Sequence, residues 1–144
     1  MIPACMGGLL PPGVHSANWS EVEARFATNS RRRWLLDGLH DALLELRRVS
    51  CQAAFLDGSF VTDKLVPGDY DLCWDHTTVD LGAIDPIFLD VVHPRAAQQA
   101  KYRGDLLPNV LEANSGRLFV EFFQVDKLTG KPKGIIALDP RRVN

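Results

Sequence analysis

The residues of this chain best placed to do chemistry are two aspartates one position apart, Asp69 and Asp71. They flank Tyr70 at the head of an apolar run that ends at Trp74, which predicts a strand over about Tyr70 to Trp74. Alternate residues of a strand point to one face, so both carboxylates are aimed into one small volume. Adjacent carboxylates repel each other unless a cation is shared between them, and a ligand set of oxygens alone suits Mg²⁺ or Mn²⁺. Upstream, a Gly58–Ser59 step follows the apolar run Ala53 to Leu56, and nine residues separate Ser59 from Asp69.

Strands that carry such a pair need a partner to pack on. Leu35, Leu39, Ala42, Leu46 and Val49 recur at intervals of three and four residues, predicting a helix over about Arg31 to Val49 with Asn29 or Ser30 as cap. Leu36 and Leu43 widen its apolar stripe, and Arg33, Asp37, His40, Asp41 and Arg48 lie opposite. Gly38 inside that helix costs about 1 kcal/mol relative to Ala. Ser20 and Glu23 form a capping box for a shorter helix through Phe26.

A first strand is expected over about Gln52 to Leu56, and Pro67 and Gly68 mark the loop from Thr62 to Gly68. Asp85–Pro86 opens a short helix, which His93–Pro94 breaks. Arg95 to Lys101 has helical composition ended by Gly104, and Asp105-Leu106-Leu107 is a third short strand stopped by Pro108. Leu118 to Val125 reads either as a helix capped by Ser115 or as a strand paired with Gly134 to Leu138. Its Phe and Val content favours the hairpin. Residues 1–18, rich in Gly and Pro, read as an extended arm rather than an element. The expectation is an α+β fold, a small mixed sheet flanked by helices, in one domain over residues 19–144.

The chain has 144 residues, 46% apolar and 24% charged, enough for one domain with a real core. Its net charge of −2 gives no global attraction to nucleic acid or to anionic membranes, so any such contact must be local. Cys5, Cys51 and Cys73 form no CxxC pair and no zinc pattern, as expected of reduced thiols. No stretch approaches the roughly 20 apolar residues of a membrane span, and the N-terminus lacks the pattern of a signal peptide, so a soluble cytoplasmic protein is expected.

Gly58-Ser59, nine residues, then Asp69-Tyr70-Asp71-Leu72 resembles the signature of the nucleotidyltransferase superfamily, the fold shared by polymerase beta, the CCA-adding enzymes and the small minimal nucleotidyltransferases. The strings DGSFVTDK and PGDYD, the upstream amphipathic helix and the later KPKGI are similar to a group of small bacterial proteins assigned to that superfamily. The resemblance implies a nucleotidyltransferase-like fold in which Gly58-Ser59 opens a helix whose amides and hydroxyl hold nucleotide phosphates, with Lys64 as the loop's cation. It further implies that Asp69 and Asp71 hold two divalent ions and that a carboxylate from a later strand completes the site. Asp105 is the candidate for that position, with Glu121 and Asp126 in reserve.

The implied activity is Mg²⁺-dependent transfer of NMP from an NTP to a hydroxyl of RNA, such as a tRNA end, or of a partner protein. The implied setting is a bacterial toxin–antitoxin pair. Asp57 departs from the pattern, because the position before the glycine is ordinarily apolar. The alternative is a catalytically inactive module of the same fold that binds a partner protein; a metal-dependent nuclease using His93 or Lys101 is a third reading. The four histidines, His15, His40, His76 and His93, are scattered and match no nucleophile pattern. Lys127, Lys131, Lys133, Arg141 and Arg142, and separately Arg31 to Arg33, are the basic clusters that can guide a polynucleotide if they share a face with the aspartates.

Overall fold

A computed structural model describes residues 1–144. The predicted α2 runs Ser30–Arg48, and Asn29 caps it by accepting a hydrogen bond from the Arg32 amide. Before it, α1 spans Trp19–Phe26. Its capping box is Asn18 with Glu21, two residues upstream of the expected Ser20 with Glu23, because Asn is at least as good a cap as Ser and here has the extended backbone a cap requires. Every predicted stripe residue of α2 except Val49, which is half-buried, is buried against the sheet. Gly38 is there for a packing reason: a Cβ would collide with the Tyr102 carbonyl oxygen.

The strands are β1 Gly13–Ser16, β2 Ala54–Asp57, β3 Asp71–Trp74, β4 Asp105–Pro108 and β5 Gly134–Leu138, in the spatial order β1-β5-β2-β3-β4. β2 lies antiparallel to both β3 and β5, whereas β1 is parallel to β5 and β4 parallel to β3. The coarse expectation of an α+β fold with a mixed sheet therefore holds. Two local expectations do not. The arm contains β1, since Gly13, with φ of +115°, turns the chain out of the Gly- and Pro-rich segment into an edge strand parallel to β5. The segment 118–125 forms a short helix, α4 Phe119–Phe122, and not a hairpin strand. β5, its expected partner, is taken on both edges by β1 and β2, and only the bridge Val125–Pro132 remains between the two segments.

The sheet has an unequal core on its two faces. α2 and α1 cover Ala54, Leu56, Leu72, Trp74, Leu106, Ile136 and Leu138. On the other face Cys73, Leu107 and Ile135 pack with Phe123, against which Phe55, Phe119 and Phe122 lean. Strand alternation places Asp57, Asp71 and Asp105 on this thinner second face, in step with Phe55, Cys73 and Leu107. All three sit where their strands begin or end, so the sheet's interior stays apolar while its end carries the acids.

α3, Ala96–Tyr102, closes the β4 edge. The buried Gln98 acts as a piece of strand: its carbonyl oxygen accepts from the Leu106 amide at 2.8 Å and its amide donates to the Leu106 carbonyl at 2.9 Å. Both peptide groups of Leu106 are thereby satisfied at an otherwise open edge. No helix is long and apolar enough to cross a membrane. The three cysteines are free, and burial pushes the Cys51 and Cys73 thiols up to about 11 and about 12, which keeps them protonated.

Candidate metal centre

Asp71 and Asp105 stand opposite each other in the parallel β3–β4 register. Asp69 precedes β3 by two residues. The Asp105 amide donates to the Tyr70 carbonyl at 3.0 Å, and the fully buried Tyr70 hydroxyl donates to the Tyr102 carbonyl at 2.8 Å. Gly104 lies flat on the Tyr70 ring, where a Cβ would approach ring atoms to 2.6 Å. Tyr70 thus locks the start of β3 to the turn into β4. The result is that one carboxylate oxygen from each of Asp69, Asp71 and Asp105 lies within 4.8 Å of the other two. All three predicted acids are brought together, including Asp105, which comes from a segment 34 residues beyond Asp71.

Asp57 is the fourth acid. It is opposite Asp71 in the antiparallel β2–β3 ladder and buried, and its carboxylate accepts from Lys133 Nζ at 2.8 Å. Gly58 follows with φ of +90°, and a Cβ there would meet Asp71 Oδ2 at 3.2 Å, so both the backbone and the proximity of the carboxylate require glycine. The helix expected after it is a single 3₁₀ turn over Ser59–Val61, because the chain turns back at Thr62, whose hydroxyl donates to the Ser59 carbonyl at 2.7 Å.

Lys64 is not delivered to the aspartates. It is exposed, and its carbonyl is one of three, with Phe60 and Thr62, that accept from the buried Arg32 guanidinium at 2.6 to 2.7 Å. Lys127, which makes no ion pair, lowers by its charge the pKa of Asp57, Asp69 and Asp71 alike. Glu121 is exposed, and Asp126 is spent on the turn at Thr129, so neither reserve acid joins the cluster. Of the nuclease candidates, Lys101 pairs with Asp85 at 2.6 Å and His93 is exposed in a loop.

Gln99 of α3 and Arg95, the residue just before that helix, contact the cluster, and nothing in the sequence flagged them. Gln99 Nε2 donates to Asp69 Oδ2 at 3.0 Å and to Asp105 Oδ1 at 2.7 Å. Arg95, the left-handed residue that precedes α3, reaches Asp105 Oδ2 at 3.3 Å, and its Nε is buried without a partner. The Gln99 amide thus bridges Asp69 and Asp105, while the Arg95 guanidinium pairs with Asp105 alone. The signal available in the sequence was only their i, i+4 spacing ahead of Asp105.

Burial is the first cause of the raised pKa of Asp71, followed by the charges of Asp69, Asp57 and Asp105; together they push it up to about 7. Burial also raises Asp69, against the opposing Gln99 hydrogen bond, and raises Asp57 against Lys133. These residues fit a divalent cation. The donors are hard oxygens, they are close enough to share one ion, and full ionisation of Asp71 is unfavourable without added positive charge.

The model of a family described as a family of unknown function (DUF6932) matches residues 3–139. No curated protein and no solved structure matches the chain.

Proposed function

The chain belongs to that family of unknown function, and we propose that it is a divalent-cation-dependent nucleotidyltransferase, with a nucleotidyltransferase-like fold, moving NMP from an NTP to an acceptor hydroxyl. The observation that carries this reading is the convergence of Asp69, Asp71 and Asp105 within 4.8 Å at one end of the sheet, beside Gly58 and Ser59. In such a transfer a bond forms between the acceptor oxygen and the α-phosphorus, the bond from that phosphorus to the bridging oxygen breaks, and pyrophosphate leaves. The proton of the acceptor hydroxyl passes to the carboxylate cluster.

Bound Mg²⁺ or Mn²⁺ supplies charge neutralisation on the phosphate oxygens and lowers the pKa of the attacking hydroxyl. The remaining work falls to the chain. Asp69, Asp71 and Asp105 hold the cations; Tyr70 fixes the spacing between them. Gly58 lets the backbone approach the site closely, and Ser59, whose hydroxyl has no partner in the protein, is a donor for a phosphate oxygen. Lys127 takes the phosphate-neutralising role that Lys64 cannot. Gln99 and Arg95 hold the acids in place while the cation is absent and must yield when it binds.

Incubating the protein with labelled NTPs, Mg²⁺ and a bacterial lysate tests the reading. Label on an RNA or a protein, lost in Asp69→Ala and Asp71→Ala, is expected, and its absence in wild type overturns it. A second reading has an observation of its own. The single 3₁₀ turn at Ser59–Val61 and the outward Lys64 leave a weaker phosphate grip than the resemblance implies, which favours an inactive module that binds a partner protein, in a toxin–antitoxin pair. Co-purification of a partner with no Mn²⁺ or NTP affinity supports that second reading.

A further inference from the structure

On the outer surface of α2, Trp34 is 44% exposed. Two guanidiniums lie on its ring, Arg103 at 4.4 Å and Arg31 at 4.6 Å from the centroid. Neither arginine is loose. Arg103 Nη1 donates to the Trp34 carbonyl at 2.6 Å, and Arg31 donates to the carbonyls of Pro67 at 3.0 Å and Gly68 at 2.5 Å. These anchors tie the platform to the site on both sides. Gly68 immediately precedes Asp69, and Arg103 lies two residues before Asp105.

Resting on the nucleotidyltransferase reading, we propose that the Arg31–Trp34–Arg103 stack is the docking surface for the acceptor, and that the acceptor is single-stranded RNA. An acceptor hydroxyl presented to Asp69 and Asp105 must lay its neighbouring groups on the adjacent surface. That surface offers planar, π-rich groups and two fixed positive charges next to one another. Bases and phosphodiesters alternate at a similar scale along a single strand: a base stacks on guanidinium or indole, and the next phosphate pairs with a guanidinium. Arg31 Nη1 and Arg103 Nε and Nη2 remain free of partners in the protein and can donate to phosphate oxygens. An acidic polypeptide matches the charges but supplies nothing for the exposed ring. The chain's overall charge of −2 confines the attraction to this patch.

The test uses the full chain and a fluorescein-labelled single-stranded RNA dodecamer, followed by anisotropy between 50 and 200 mM salt. Wild type is expected to bind with affinity that falls with salt. Trp34→Ala and Arg103→Ala should weaken binding at least about tenfold, and Arg103→Ala should reduce the slope of log affinity against log salt by roughly 0.7. Arg33→Ala, an exposed arginine on the same helix away from the stack, should bind as wild type does. Circular dichroism of each variant shows that it is folded, and Arg103→Lys, which keeps the charge but not the plane, should bind weakly too.

Equal binding by Trp34→Ala, Arg103→Ala and wild type overturns the proposal, as does equal affinity for duplex RNA or polyglutamate. Its fate separates from that of the nucleotidyltransferase reading. Undiminished transfer by Trp34→Ala and Arg103→Ala sinks the docking surface and leaves the activity standing. RNA binding that depends on the stack, without transfer under any condition, does the reverse.

Discussion

Asp57 and Asp71 stand opposite one another in the β2–β3 ladder, yet only Asp57 has a cation of its own, Lys133 Nζ at 2.8 Å. The two carboxylates are therefore different chemically although they are neighbours. Asp57 belongs to a buried ion pair that ties β2 to the segment entering β5. Asp71 forms no ion pair, and the charges nearest it are mostly acids.

Lys133→Met should destabilise the protein by about 3 kcal/mol, because it leaves Asp57 buried without a counter-charge. Removing both charges, in Asp57→Asn with Lys133→Met, should recover most of that loss. Urea denaturation of the three proteins measures it. A Lys133→Met loss below 0.5 kcal/mol, a rough floor for surface substitutions, would show that the pair has no structural weight.

Asp71 gives the metal-free protein a pH dependence. Its folded pKa, about 7, lies above the ordinary carboxylate value of 3.8, so the folded state keeps a proton that the unfolded chain releases. Its contribution is fully present below about pH 4 and is lost as pH rises through 7. Metal-free wild type should thus lose stability over this window, and Asp71→Asn should be more stable than wild type at pH 8 by on the order of 2 kcal/mol. Mn²⁺ should raise the melting temperature of wild type at pH 8 and leave that of Asp71→Asn unchanged. Thermal melts with and without Mn²⁺ at pH 5 and 8 decide it, and a metal-free Asp71→Asn protein less stable than wild type at pH 8 contradicts the assignment.

Gly38→Ala should act against the usual rule. In an exposed helix interior the change stabilises by about 1 kcal/mol. Here the added methyl collides with the Tyr102 carbonyl, in the turn that leads to Asp105, and should destabilise by about 2 kcal/mol. Because the collision pushes α3 away from α2, Mn²⁺ affinity should fall as well. A melting temperature equal to or above that of wild type would show that the two helices are free to separate.

The local pattern carried much of this protein. The three- and four-residue spacing of Leu35, Leu39, Ala42 and Leu46 determined α2 and its buried face, since a helix must bury its apolar stripe somewhere. The alternation around Asp69 and Asp71 predicted a shared face, but Asp69 lies two residues before β3, so its place beside Asp71 depends on the contacts of Tyr70. Asp105 was legible as an acid heading an apolar run, but its register opposite Asp71 is a property of the parallel β3–β4 ladder.

The tertiary structure decided what depends on partners distant in the chain. Leu118 to Val125 has the composition of a strand, yet β1 and β2 occupy both edges of the strand it would have joined. Lys64 has the right charge at the right place in the loop, but the buried Arg32 gathers that loop's carbonyls and leaves Lys64 exposed. Asp57, an anomaly in the linear motif, acquires its meaning only from Lys133, 76 residues away. Which acids were candidates could be read along the chain, because their types and spacing are local. Which of them are already neutralised could not, because a salt bridge forms between segments that only the completed fold brings together.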